Sequence, residues 1–402
     1  MSATTPAAIH HPPALLIAAA LALAAAVSLG LARFSYALLL PPMRADLGWS
    51  YLTAGAMNTV NASGYLAGAL LMPRALLRYG ARPLLLAGSA AAAALLAAHG
   101  LVLGNEALYA LRFLTGVASA ATFVSGGLLA AQLVGAPAGL VLGIYYGGTG
   151  VGIIASAVLV PPLIGLSIAH AWQWAWLALG AAALLATLIT ARATRGLDTA
   201  ASAARTRSAF GWPRFACGLA SYFLFGLGYI GYMTFVVTLL REQQLGSALI
   251  TTFYVLLGMG VVASSWLWAG LLQRHRGGRP MALLNALLAI ATLLPVVSAH
   301  PLAVFASGAL FGGVFLSVVA STTALVRHNL PASAWPGGIA AFTTVFAAGQ
   351  IVGPSLVGGL ADGAGGLRAG LAVSAAVLVL GAALAGCQKA LPAVEAAKVT
   401  TP

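Results

Sequence analysis

Twelve long apolar runs follow one another along the 402 residues of this chain. Only 6% of the residues are charged and 61% are hydrophobic, whereas about 25% of the residues in a soluble domain are charged. A helix needs about 20 apolar residues to cross a hydrocarbon layer of about 30 Å. The composition excludes a soluble protein and predicts an all-α membrane protein with twelve transmembrane helices. The predicted spans are 14–40, 50–72, 83–103, 107–131, 140–164, 171–191, 215–240, 249–272, 281–299, 302–326, 338–360 and 367–386.

The runs fall into two sets of six, separated by an arginine-containing segment that is too polar to cross a membrane. The two sets resemble each other, because Gly80, Arg82 and Pro83 in the first set recur as Gly277, Arg279 and Pro280 in the second. Gly30 of the first set likewise corresponds to Gly228 of the second. Matched halves of six helices are typical of one class of transporter, whose substrate site lies between the halves. We expect a tail (1–13), a six-helix bundle (14–191), a linker (192–214), a second six-helix bundle (215–388) and a tail (389–402).

The net charge of +13 is spread over the loops between the apolar runs and forms no basic cluster. This distribution indicates membrane topology rather than nucleic-acid binding. Loops on the side of the two chain ends carry most of the arginines and lysines, whereas the opposite loops carry only Arg44, Arg241 and Arg368. Both termini are therefore predicted to be cytoplasmic. The abundant alanine, glycine and arginine suggest GC-rich bacterial coding, and hence a bacterial inner (cytoplasmic) membrane.

Four segments resemble motifs of the major facilitator superfamily. The segments are GLARFSYALLLPPMRADLGWS (30–50), LRYGARP (77–83), LYALRFLTGVASA (108–120) and GQIVGPSLVGG (349–359). The first is most similar to the YbfB/YjiJ-type branch of bacterial proteins.

The resemblance implies two pseudo-symmetric six-helix bundles that alternate access to a central site, and it also implies a coupling proton. It assigns gating or structural roles to two groups of residues. The first group is Arg78, Gly80 and Arg82, and the second is Gly349, Gly353 and Pro354. In the loop motif that contains the first group, Leu77 stands where the superfamily usually has an aspartate.

Arg33 and Arg112 lie within predicted spans, where an arginine costs about 2.5–3.5 kcal/mol on insertion scales. All six acidic residues lie in loops or near span ends, so no carboxylate is available deep in the membrane. One interpretation is that an anionic substrate supplies the missing charge. The alternative is a structural role, in which these arginines bond backbone groups or reach outward to Glu106 or Asp46.

Polar and aromatic side chains recur at helical spacing within several spans, which places them on shared faces. One such face carries Thr343, Phe346 and Gln350, and another carries Tyr222, Phe225 and Tyr229. Several polar faces together predict one central cavity, although helix packing explains any single face equally well. The candidate substrate-binding residues are Arg33, Tyr36, Asn58, Asn61, Tyr65, Arg112, Tyr145, Thr149, Tyr222, Tyr229 and Gln350.

We therefore predict a secondary transporter, monomeric in the lipid bilayer, that moves a small organic solute, with an anion as the specific hypothesis. Proton-linked efflux of amphipathic compounds or drugs is the main alternative. The sequence disfavours an enzyme, since it contains no HExxH motif and no deep acid–base pair, and a channel, since it has no continuous polar pore. The sequence has no nucleotide-binding GxxxxGK[ST] loop and predicts no cofactor and no metal site.

Overall fold

The structure is a computed structural model that describes residues 14–134, 137–197 and 210–391. Within these ranges the chain forms twelve long helices and no β-strand. The predicted tail 1–13, the central part of the linker and the end of the second tail lie outside the described residues. The helices are α1 (Ala14–Leu47), α2 (Tyr51–Tyr79), α3 (Ala81–His99), α4 (Asn105–Gln132), α5 (Ala138–Ile164), α6 (Ala171–Ala193), α7 (Ala216–Glu242), α8 (Ser247–Arg274), α9 (Arg279–Val297), α10 (Pro301–Asn329), α11 (Trp335–Ala361) and α12 (Gly366–Cys387).

Eleven of these helices are long and apolar enough to cross a membrane by themselves. The remaining one is α2, which carries the buried polar residues Asn58 and Asn61. Polar side chains of a membrane helix face other helices rather than lipid, so the lower hydropathy of α2 agrees with its interior contacts. The predicted all-α membrane fold is confirmed.

The helices pack as two halves, α1–α6 and α7–α12. In the first half α4 lies against α2 and α3, and in the second half α12 lies against α7 and α9. The halves meet along three pairs of helices, which are α2 with α11, α5 with α8, and α1 with α7. We call the end of the bundle where α6 ends and α7 begins the linker end, and the opposite end the far end.

Glycines let helices approach closely within each half. A Cβ added at Gly64 would collide with the backbone of Phe113, and one added at Gly116 would collide with the backbone of Asn61. These two contacts face each other across the α2–α4 crossing. Small residues at such crossings allow the van der Waals packing that holds membrane helices together.

We expect Gly64→Ala to lower the free energy of unfolding by about 1–3 kcal/mol, because overpacking a close contact forces the backbones apart. The measurement is an SDS unfolding titration of the purified protein. Gly386→Ala is the matched control, since a Cβ at Gly386 meets open space and alanine favours the helix. Equal unfolding curves for the two variants would contradict the predicted close packing.

Candidate functional site

A cavity of about 750 Å³ lies between the two halves. It is lined mainly by the linker-end portions of the helices, from Arg33 in α1 to Arg327 near the end of α10. The first half contributes Tyr65 and Tyr146, and the second half contributes most of the aromatic rings. This size suits a small organic molecule, since ligand sites commonly measure about 300–1,000 Å³.

Arg33 lies in the last turn of a π-helical stretch, Ala26–Phe34, in the middle of α1. A π-helix is wider than an α-helix and occurs frequently at functional sites. Gly30 in this stretch lies directly against the backbone of Gly152 in α5, leaving no room for a Cβ at either position. The wide turn is thus held against α5 while Arg33 lines the cavity.

The guanidinium of Arg33 has unused hydrogen-bonding capacity. Its side chain is only 3% exposed, and its Nε and Nη2 atoms are buried without a hydrogen-bond partner among the described residues. Its guanidinium carbon lies 5.8 Å from the centre of the Tyr65 ring. Since buried polar groups are normally hydrogen-bonded, this arginine has the properties expected of an anion-binding group.

A wall of near-parallel aromatic rings lines another side of the same cavity. The rings of Tyr222 and Phe346 lie 4.8 Å apart at 17°, and those of Phe225 and Tyr229 lie 4.8 Å apart at 18°. The Phe315 ring continues the wall at 5.8 Å from Tyr229 and 9°. Flat apolar rings of this kind provide a large contact area for an apolar or aromatic solute.

Gln350 of α11 adds a polar group beside this wall. Its amide donates a hydrogen bond to the Tyr229 hydroxyl, and it also lines the cavity. The structure therefore brings together Arg33, Tyr65, Tyr222, Tyr229 and Gln350 among the residues predicted from the sequence.

Arg112 differs from Arg33 in having partners for all of its nitrogens. Nη1 donates to the Ala32 carbonyl (3.0 Å), Nη2 to Asn58 Oδ1 (2.9 Å) and Nε to the Met57 carbonyl (3.5 Å). Its guanidinium also lies over the Tyr36 ring at 4.7 Å. This 1% exposed side chain joins α4 to α1 and α2, and it does not line the cavity.

The other predicted site residues also lie outside the cavity lining. The Tyr36 hydroxyl donates to the Ala54 carbonyl at 2.9 Å, and the Tyr145 hydroxyl donates to the Phe123 carbonyl at 2.6 Å. Asn61 donates to the Arg112 carbonyl at 2.9 Å. These contacts, and the burial of Thr149 in α5, place the residues in the packing between helices.

The predicted gating residues lie in two places. Gly80 links α2 to α3 with a positive φ of 78°, and Arg82 donates to the Ala191 carbonyl at 3.2 Å within the first half. The exposed Arg78 lies over the ring of its neighbour Tyr79. In the second half, Gly349 and Gly353 pack against the α7 backbone, while the carbonyl of Pro354 packs against Gly55 of α2.

Contacts between the halves close the far end of the bundle. The Asp362 carboxylate in the second half accepts hydrogen bonds from the backbone N–H groups of Tyr51 and Leu52, at 2.8 and 2.9 Å. These groups lie at the start of α2 in the first half, where a helix N-terminus favours an anion. The Tyr51 hydroxyl also donates to Glu242.

Deeper contacts extend this closure toward the cavity. Asn58 donates to Thr234 Oγ1 at 2.8 Å, and the Tyr254 hydroxyl donates to the Phe34 carbonyl at 2.5 Å. Both hydrogen bonds join one half to the other. The halves therefore touch at the far end, and the cavity lies between them on the side of the linker end.

Five aromatic residues of the cavity lining were not predicted from the sequence, namely Phe34, Phe123, Tyr146, Trp268 and Phe315. They lie in apolar runs in which rings that face lipid and rings that face a cavity are hard to tell apart. For Trp268 a signal was present, because Ser264 and Ser265 precede it at helical spacing and also line the cavity. As for metal ligands, the described ranges contain no group of three His, Cys, Asp or Glu side chains that could hold an ion.

Solved structures of several transporters share this fold. A bacterial homologue of the human lysosomal transporter Spinster, in an inward-facing and unoccupied conformation, is 15% identical with a TM-score of 0.69, covering 93% of this chain and 96% of that one. The nucleoside transporter NupG is 13% identical with a TM-score of 0.71, covering 92% and 98%. The human organic anion transporter MFSD10 (TETRAN) is 16% identical with a TM-score of 0.61, covering 93% and 100%. No curated protein matches the chain significantly.

The sequence itself matches one family model. That model, described as "Uncharacterised MFS-type transporter YbfB", covers residues 25–386. Its match extends from within α1 to the end of α12, so it includes both halves and the cavity between them. The chain therefore belongs to the YbfB-type family of major facilitator superfamily transporters.

Proposed function

We propose that this transporter carries a small organic anion with an apolar body across the bacterial inner membrane by alternating access. The observation that supports the proposal is Arg33, whose Nε and Nη2 atoms are buried at the cavity without a hydrogen-bond partner among the residues that the structure describes. A charged hydrogen bond to a carboxylate or sulfonate is about twice as strong as a neutral one. Such a group would complete the hydrogen bonding of Arg33, and the aromatic wall would contact the rest of the solute.

The positive-inside rule supports an orientation with the linker end in the cytoplasm. At the far end the described loops and helix ends carry only three arginines, namely Arg44, Arg241 and Arg368. We therefore propose that both termini are cytoplasmic and that the cavity faces inward in this structure. The arginines at the linker end are Arg74, Arg78, Arg82, Arg192, Arg195, Arg214, Arg274, Arg276, Arg279 and Arg327.

Efflux of amphipathic compounds is the second candidate function. The breadth of the aromatic wall, which includes Tyr222, Phe315 and Phe346, favours it, because flat rings bind apolar solutes whether or not these carry a charge. The two functions differ in their dependence on the charge of Arg33. Anion transport requires it, whereas binding of a neutral amphipathic solute does not.

We expect Arg33→Gln to weaken binding of benzenesulfonate roughly tenfold to hundredfold, because hydrogen bonds to charged groups contribute about 1.5–3 kcal/mol. The measurement is isothermal titration calorimetry of the detergent-purified protein. Arg327→Gln is the matched control, since Arg327 also lines the cavity but lies over Trp335 near the linker end. The neutral isostere benzenesulfonamide should bind more weakly to the wild type. If it binds as tightly as the sulfonate and is insensitive to Arg33→Gln, efflux of amphipathic compounds is favoured instead.

Arg112→Gln should mainly lower the stability of the protein, whereas Arg33→Gln should mainly weaken binding. The substitution leaves the Ala32 carbonyl and Asn58 Oδ1 without their donor, and each buried acceptor left unpaired costs about 1–3 kcal/mol. Arg33→Gln breaks no comparable hydrogen bond and should change the free energy of unfolding much less. SDS unfolding titrations of the two variants test this contrast, and a larger loss for Arg33→Gln would show that the two roles are reversed.

Alternating access further predicts that Asp362→Asn favours opening of the far end. Loss of the negative charge at the α2 N-terminus removes about 0.3–1 kcal/mol, which corresponds to a change in the population ratio by a factor of roughly 1.7 to 5. The populations can be measured by double electron–electron resonance between labels at Leu101→Cys and Leu302→Cys, two exposed far-end positions, with Cys217 and Cys387 replaced by serine. Glu106→Gln is the control, as Glu106 is an exposed acid in the first turn of α4. An unchanged distance distribution for Asp362→Asn would argue against this role.

A further inference from the structure

The charged groups of the cavity are all positive among the residues that the structure describes. Arg33 and Arg327 line it, and no acidic side chain does. Arg327 lies over the Trp335 ring at 4.7 Å near the linker end. Arg33 lies deep between the halves with two nitrogens unpartnered, and a guanidinium cannot lose its proton in a protein. The empty cavity thus keeps a fixed positive charge.

The described carboxylates are at the far end, where three of them have other partners. Asp46 accepts from His170 and from Trp172, at 2.5 and 2.6 Å. Glu242 and Asp362 bind the start of α2, as described above, and Glu106 is exposed in the first turn of α4. No carboxylate in the described ranges can therefore neutralise Arg33 while these contacts hold.

This arrangement makes the empty and loaded forms unequal in alternating access. When the linker end closes, water must leave the cavity that Arg33 lines, and with it goes the high-dielectric medium that screens this buried guanidinium in the open form. An unpaired charge is strongly disfavoured in such a low-dielectric site, whereas a charge paired with an anion through good hydrogen bonds is disfavoured much less. The loaded form should therefore close and cross, and the empty form should stay open.

We propose that the protein is an anion exchanger, in which a monoanion moves in one direction in return for a monoanion moving in the other. The inference rests on the proposed recognition of an anion by Arg33. With one anion bound in each crossing, the exchange is electroneutral and requires no coupling proton. Net transport of the anion is slow because it requires the unloaded form to cross.

The test uses proteoliposomes and labelled naphthalene-2-sulfonate, benzenesulfonate and cyclohexanesulfonate, which stay ionised at all working pH values. Uptake is compared between vesicles preloaded with the same unlabelled sulfonate and vesicles without it. Potassium and valinomycin are present on both sides, so that charge build-up cannot slow net uptake. We expect uptake into preloaded vesicles to be at least tenfold faster for at least one of the sulfonates.

A second readout follows the conformation directly. Spin labels at Leu77→Cys and Gln273→Cys, both exposed near the linker end, report its closure by double electron–electron resonance, again with Cys217 and Cys387 replaced by serine. In the wild type, the short-distance population should be small without ligand and should rise when the sulfonate is added. Arg33→Gln should show the short-distance population without ligand, because the deep part of its empty cavity lacks the unpaired guanidinium, whereas the remaining Arg327 lies over Trp335 near the linker end. A ligand-free wild type that closes as readily as Arg33→Gln would overturn the proposal.

The outcomes separate this inference from the proposed function. Sulfonate uptake that depends on Arg33 but is equally fast with and without preloading would overturn exchange and leave anion transport standing. Binding and uptake of all three sulfonates that do not depend on Arg33, or no binding of any of them, would overturn both.

The double variant Asp198→Asn/Glu395→Gln removes the two acids outside the described residues. The exchange preference should be the same in this variant as in the wild type. A preference that appears only in the double variant would show that one of these acids neutralises Arg33 in the wild type, and it would overturn the proposal.

Discussion

A guanidinium can lie inside a hydrocarbon layer only if acceptors or a counter-ion surround it. Two arginines of this chain meet that constraint differently. Arg112 is surrounded by backbone and amide oxygens of α1 and α2, so it contributes to holding the first half together. Arg33 has no such acceptor for its Nε and Nη2 atoms within the described part of the chain and lies at the cavity instead. The difference between the two arginines arises from which oxygens the neighbouring helices supply.

The number of helices and their division into halves could be predicted from the sequence, because membrane crossing imposes a length and a hydropathy on each segment. The placement of Arg33 and of the Tyr222–Tyr229 face followed from charge and helical spacing. The location of Tyr36 away from the cavity could not be predicted. It depends on how far α1 turns between residues 26 and 34, and a π-helical stretch there changes the direction of every later side chain by a fraction of a turn.

Contacts within and between the halves share close packing but differ in their polar component. Glycines bring backbones together within a half, as at Gly64 with Phe113, and also across the boundary, as at Gly55 with Pro354. At the far end the boundary adds polar contacts such as Asp362 with the start of α2, and water can replace each of them. The boundary therefore combines close helix packing with hydrogen bonds that water can exchange.

The internal repeat is symmetric in its helices but not in its chemistry. The position of the second half that corresponds to Arg33 is Gly231, which packs against Ser374 and Val357. The first half thus presents a cation and the second half a flat aromatic surface. Under the proposed function a solute contacts both surfaces at once, and its length then limits the separation of the two halves for as long as both contacts hold.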